Sequence, residues 1–112
     1  MSVPELNRRL VLEAPERSPD GAGGFSETWV TIGTLWASVQ ARGGREAGTL
    51  AGPVSVGRFR VTIRAARVGS SMRPLAGQRM RMGTRIFSIE AVSEVPGSEL
   101  YLRCDVVEEV AA

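Results

Sequence analysis

Arginine is the residue type with the most chemistry to offer in this chain. All 14 basic residues are arginine, with no lysine and no histidine beside them. Three of them, Arg58, Arg60 and Arg64, stand on alternate positions of Arg58-Phe59-Arg60-Val61-Thr62-Ile63-Arg64, the cleanest alternating segment present. A strand sends Phe59, Val61 and Ile63 to one face and Arg58, Arg60, Thr62 and Arg64 to the other. With Arg42 and Arg45 nearby, such a ladder can contact a phosphate backbone. It equally suits acidic residues on a partner chain, because guanidinium groups are favoured at interfaces. The acidic C-terminal third, Glu108 and Glu109 included, can supply the opposing side. A basic edge of one subunit against an acidic edge of the next makes a heterologous, ring-forming contact.

Catalytic chemistry is poorly supplied. Without histidine the commonest general base near neutral pH is missing, and so is every nucleophile–histidine pair. The single cysteine, Cys104, excludes an intrachain disulfide and leaves almost nothing for a Cys/His metal site. It alternates with Leu100, Leu102 and Val106, so it reads as a buried small hydrophobe. The acids are scattered and read as solvated or paired surface carboxylates. Gly21–Gly24 and Gly43-Gly44 lack the Lys-Ser/Thr and the following helix of a phosphate loop. Trp29 and Trp36 can stack on bases, but both read more readily as core. The expectation is a protein that is not an enzyme and uses neither cofactor nor metal.

The frame around these residues is small. The chain has 112 residues, 43% of them hydrophobic and 23% charged, which is one ordinary globular domain. Its net charge of +2 hides a strong asymmetry. Residues 1–41 hold three arginines and five acids, 42–85 ten arginines and one acid, and 86–112 one arginine and six acids. A basic middle between acidic flanks points to one face that meets an anion or an acidic partner, or to charges that pair across a sheet. Glu5, Arg8 and Arg9 interrupt the place where a signal peptide would be apolar. The longest uncharged run, Thr28 to Ala41, is shorter than the roughly 20 residues a spanning helix needs. A soluble chain with no membrane partner is expected.

Period-two alternation dominates, so the elements are strands. Arg9–Glu13 reads as a short strand with Leu10 and Leu12 inward. Pro15–Gly24 reads as a loop, from its two prolines, Asp-Gly and Gly-Gly. Phe25–Ile32 is a strand, Gly33 a bulge or bend, and Thr34–Arg42 a third strand or the second continued. Gly43–Gly57 is a long loop with five glycines and only Arg45 and Glu46 charged. The Arg58–Arg64 strand follows, then a connection over Ala65–Gly77 with room for one helical turn. Gln78–Met82 puts Met80 and Met82 on one side. Gly83-Thr84 is a tight turn into Arg85–Val95, with the register over 78–92 unsettled because a two-residue turn sets Arg81 beside Ile86. Val95-Pro96-Gly97-Ser98 has the form of a type II turn. The last strand, Glu99–Val110, turns Leu100, Leu102, Cys104 and Val106 to one face. Six or seven short strands with one long glycine-rich loop imply an all-β, single-domain small barrel.

The order of these features resembles the head–tail joining proteins of tailed phages and gene transfer agents, also called head-closure or stopper proteins. The resemblance runs through nearly the whole chain. It is carried by Leu6-Asn7-Arg8-Arg9-Leu10, the Asp20-Gly21 and Gly23-Gly24 loop, Trp29, and Leu35-Trp36-Ala37-Ser38-Val39. Arg45-Glu46 then opens the long loop, and Phe59–Arg64 and Gln78–Ile89 follow. It implies a structural ring subunit, a hexamer with a dodecamer as the alternative, located in the connector of a virion or gene transfer agent particle. Above it would sit a portal or adaptor protein and below it a tail terminator or tail tube protein. Packaged double-stranded DNA would fill the lumen. The resemblance places the 43–57 loop in that lumen. Arg42 and Arg45 would be nearest the DNA, and Leu50, Val54 and Val56 would pack loop against loop. So little charge suits a steric gate better than an electrostatic clamp. A tail-completion or terminator ring protein is the alternative within the particle, and a monomeric nucleic-acid-binding barrel the alternative outside it.

Overall fold

The computed structural model describes residues 5–42 and 57–109. Within them the chain forms six strands: β1 (Arg8–Pro19), β2 (Phe25–Ala41), β3 (Arg58–Arg64), β4 (Arg79–Met82), β5 (Arg85–Glu94) and β6 (Tyr101–Glu108). All neighbours are antiparallel. The order β1-β2-β3-β6-β5-β4 returns to β1 through a short β1–β4 pair, so the all-β sheet expected from the alternation closes on itself. Closure removes the exposed edges that a six-stranded sheet would otherwise carry.

Alternation fills the interior. Leu10 and Leu12 of β1, Ala37 of β2, Val61 and Ile63 of β3, and Met80 of β4 are buried, as are Phe87 and Ile89 of β5 and Leu102, Cys104 and Val106 of β6. Phe59 caps this core, its ring edge-on to Phe87 at 5.4 Å. Burial pushes the Cys104 thiol up to about 12, with the Asp105 charge adding to it. A thiol-alkylating reagent at pH 8 should therefore leave the native protein unmodified and label it once in urea, read by mass spectrometry. Labelling of the native protein at the urea rate would show that the thiol is not in the core.

Two bulges shape the sheet. Leu12 pairs with Gly33 but Glu13 with Thr31, leaving Ile32 as the extra residue of β2. The break falls beside Gly33 as expected, and β2 runs through it as one 17-residue strand. The end of the Met72 side chain packs directly onto the bulge, where a Cβ on Gly33 would meet its Sδ at 2.8 Å and push it aside. The second bulge lies in β5, where Glu90 has no partner between Ile89 and Ala91. The hairpin register is that of the two-residue turn: Met82 faces Arg85, and Gly83 takes the positive φ of 62°. Arg81 does stand beside Ile86, and both lie on the outer face while Met80 and Phe87 turn inward.

Several expectations fail. Pro15–Pro19 is strand, paired residue for residue with Phe25–Trp29; only Asp20–Gly24 turns. Asp20 closes that turn by accepting the Ala22 and Gly24 N–H groups. Trp36 is 57% exposed, since it alternates with the buried Ala37 and so stands outward, opposite Arg9. Leu100 is 61% exposed because β6 begins only at Tyr101. The connection after β3 consists of turns around Ser70 and Gln78, with no helical turn.

Past Glu13 the β1–β2 pair leaves the sheet. β4 accompanies β1 only over Val11–Glu13, and β3 accompanies β2 only over Ala37–Ala41. Residues 14–19 and 25–30 therefore project as a two-stranded arm whose residues are mostly exposed. Its root is an ion cluster that the reading of every acid as a surface group misses. Glu13 is only 3% exposed. Arg79 Nε donates to its Oε1 at 2.6 Å, and Arg81 Nη2 lies 3.4 Å from its Oε2. The Arg79 guanidinium also stacks 4.2 Å above the Trp29 ring, tying β4 to the arm.

Candidate functional site

The arginine ladder exists, and the sheet divides it. Arg58, Arg60 and Arg64 share the outer face of β3, as the alternation requires. Arg58 is exposed, with Nη1 3.7 Å from Glu90 Oε1. Arg64 is exposed next to Tyr101 of β6. Arg60 is half-buried, opposite Asp105 on one side and Gln40 on the other. Arg42 Nη1 lies 3.7 Å from Asp105 Oδ1, which holds Arg42 to β6.

Glu108 and Glu109 have partners within their own chain. Arg85 grips Glu108 through two hydrogen bonds, at 2.8 and 3.0 Å. Those bonds hold the Glu108 carboxyl below the usual carboxylate range and raise Arg85. The same Arg85 guanidinium sits over the Phe59 and Phe87 rings, closing that end of the core. Glu109 accepts the Ser88 hydroxyl at 2.6 Å. Arg45, Leu50, Val54 and Val56 lie outside the described residues. The two residues that bracket them are well tied: Arg42 N–H donates to Arg58 O at 2.8 Å, and Glu108 N–H to Gly57 O at 2.7 Å.

The basic groove that results is one the alternating pattern of β3 alone does not show. Glu5, Asn7, Arg8, Ser38, Arg60, Thr62 and Arg103 line a depression of about 620 Å³ on the outer face. Arg103 enters it because β6 pairs Arg103 with Thr62. The inward turn of Leu102 and Cys104 already sets Arg103 outward, but the pairing that brings it near Arg60 is long-range. Two guanidinium nitrogens, Nε of Arg60 and Nε of Arg103, are buried there without a hydrogen-bond partner. A larger depression, about 820 Å³, lies under the β5–β6 turn between Glu94 and Leu100 and gathers no comparable set of charges. Among the described residues no cluster of His, Cys, Asp and Glu could hold a metal, and no helix is long and apolar enough to cross a membrane.

Comparison with known proteins decides what kind of molecule carries this surface. Residues 1–109 match the phage head completion protein family. The chain belongs to that family. Its members are structural proteins of the head–tail region of virions, so the arginine groove and the arm belong to an assembly component. A chain from the structure of the virion of a native gene transfer agent particle is 42% identical to this head completion family member. The alignment covers 98% of this chain and 100% of that one, with a TM-score of 0.76. The solution structure of protein SF1141 from Shigella flexneri 2a has a TM-score of 0.69 at 24% identity, covering 96% of both chains, and so shares the fold. No curated protein matches the chain.

Proposed function

We propose that this chain is a head-closure subunit: a ring between the portal or its adaptor and the tail, through which packaged DNA is retained and on which the tail docks. The observation that carries this reading is the 42% identity, over both full lengths, to a chain of a gene transfer agent virion. The closed sheet supports it as a rigid frame. Residues 43–56 leave and rejoin that frame at neighbouring strands, through Arg42 and Gly57. A 14-residue connection between neighbouring antiparallel strands is long, and connections of that length commonly carry function. Six copies fit a connector ring, and twelve are the alternative. Arg42 and Arg45 then stand nearest the DNA, and Leu50, Val54 and Val56 supply apolar contacts between neighbouring loops. The working molecule is a structural subunit without catalytic chemistry.

The test is electron microscopy of particles from a producing strain that lacks this gene. Heads without tails that lose packaged DNA, together with free tails, are expected. Normally tailed particles would overturn the reading and turn attention to salt-dependent DNA binding by the free chain. Full heads with tails of abnormal length would move the protein to tail termination.

A further inference from the structure

We propose that the β1–β2 arm of one copy seats its acidic face in the arginine groove of the next copy. This rests on the ring reading above and names the contact that would build the ring.

The arm lacks a partner of its own. A two-stranded ribbon is marginal in water, and among the described residues no third strand covers either edge beyond Glu13 and Thr31. Its two faces differ. The Asp20 N–H bonds Gly24 O, so the even positions of β1 carry the hydrogen bonds to β2 and the odd ones point their backbone to the free edge. Pro15 and Pro19 occupy that free edge and have no N–H to offer, which blocks a strand from adding to it. With the β1 edge blocked, the two faces are the broad surfaces that the arm offers beside its β2 edge. One face carries Pro15, Trp29, Pro19 and Phe25, with Arg17 stacked on Phe25 at 4.9 Å. The other carries Glu16 and Asp20 among the hydroxyls of Ser18, Ser26 and Thr28. Neither Glu16 nor Asp20 has an ion-pair partner among the described residues.

The groove has the complementary deficit. Arg8, Arg60 and Arg103 outnumber the acids beside them, Glu5 and the Asp105 that pairs across from Arg60 and lies 3.7 Å from Arg42, and the buried Nε atoms of Arg60 and Arg103 lack acceptors. A guanidinium nitrogen shut away from water is costly until an acceptor reaches it. Hydroxyls and amides of Asn7, Ser38 and Thr62 line the same depression and match the hydroxyl-rich face of the arm. The arm cannot fill its own groove. Arg8 and Glu16 lie on one extended strand, eight residues and so about 26 Å apart, and the arm points away from Arg8. The contact must therefore join two copies, and passed head to tail from each copy to the next it closes into a ring when the rotation allows.

Charge exchange tests this in the full chain within producing cells. Glu16→Arg and Arg103→Glu should each lower the yield of tailed particles about tenfold, and the double variant should restore it. Melting curves of the purified variants separate misfolding from lost contact. Independently, Glu16→Cys with Arg60→Cys should give a ladder of disulfide-linked multimers in oxidised particles, because Cys104 is buried and stays out of the exchange. Unchanged yields in the single variants, or no rescue with normal melting, overturn the proposal. Dimers from Glu16→Cys alone would assign the arm to a symmetric pair of arms instead. Loss of packaged DNA in Arg103→Glu, with Glu16→Arg silent, would assign the groove to the phosphate backbone. All these outcomes presuppose that deletion of the gene leaves tailless heads; normally tailed particles would defeat the head-closure reading itself.

Discussion

Glu13→Gln is expected to lower the melting temperature by about 12 °C, from a loss of about 3 kcal/mol at about 4 °C per kcal/mol for a domain this size. The substitution keeps the volume, so no cavity contributes. What changes is the charge between two arginines. Arg79 is only 16% exposed at its side chain and holds its 2.6 Å bond against a nearly inaccessible carboxylate. Removing one charge from a buried pair leaves the other desolvated and uncompensated, the costly case. Arg81 is 44% exposed, so its share is screened, and Arg81→Gln should cost less than about 1 kcal/mol. Glutamine can still accept one hydrogen bond from Arg79, which keeps the loss at the lower end for a broken buried pair. Thermal unfolding followed by circular dichroism measures both variants. A fall for Glu13→Gln no larger than that for Arg81→Gln would show the cluster to be superficial. The arm should loosen with it, because Arg79 is also what stacks on Trp29.

The second large effect concerns residues 43–56. Replacing them with two glycines should leave a folded chain that still gives tailed heads, and those heads should be empty. The fold survives because Arg42 N–H already meets Arg58 O at 2.8 Å, so a short turn can join the strands. Shortening a connection from 14 residues to two changes the closure entropy by only about 1–2 kcal/mol, and in the favourable direction. DNA retention has no such substitute if this segment is the gate. The segment contains one arginine and one acid, Arg45 and Glu46, so a steric block is the expected kind, and Arg45→Ala should release little DNA. The fraction of DNA protected from nuclease in purified particles measures both. Full protection in the shortened variant would remove the gate from this chain. Protection lost equally in Arg45→Ala would make the gate electrostatic, and its leakage would then rise steeply with salt.

Alternation was enough to find the core. Leu10, Leu12, Val61, Ile63, Met80, Leu102, Cys104 and Val106 all lie where a period of two puts them, because a half-buried strand leaves that signature locally. The turns at Gly83 and Pro96-Gly97 were legible for the same reason: their backbone angles demand particular residues. Prolines misled at Pro15 and Pro19. Proline is a turn residue by composition, yet a free strand edge accepts it, and nothing local distinguishes the two. Trp36 misled because large aromatics are usually covered, whereas here the small Ala37 next to it takes the inward place opposite Ile63 and leaves Trp36 outside.

The class of the protein was legible in its residues: an all-β chain, poor in catalytic groups, with arginine on one strand face and a glycine-rich stretch over residues 43–57. Those properties follow from residue type and near-neighbour spacing. The tertiary structure alone decided which charges are spent and which remain. Glu13 is buried under Arg79 and Arg81 from sixty-six and sixty-eight residues away, and Glu108 is tied to Arg85. Arg103 joins Arg60 in a groove whose nitrogens still lack acceptors. A charge is free or paired according to what lies within about 4 Å of it, and strand register across the closed sheet sets that distance.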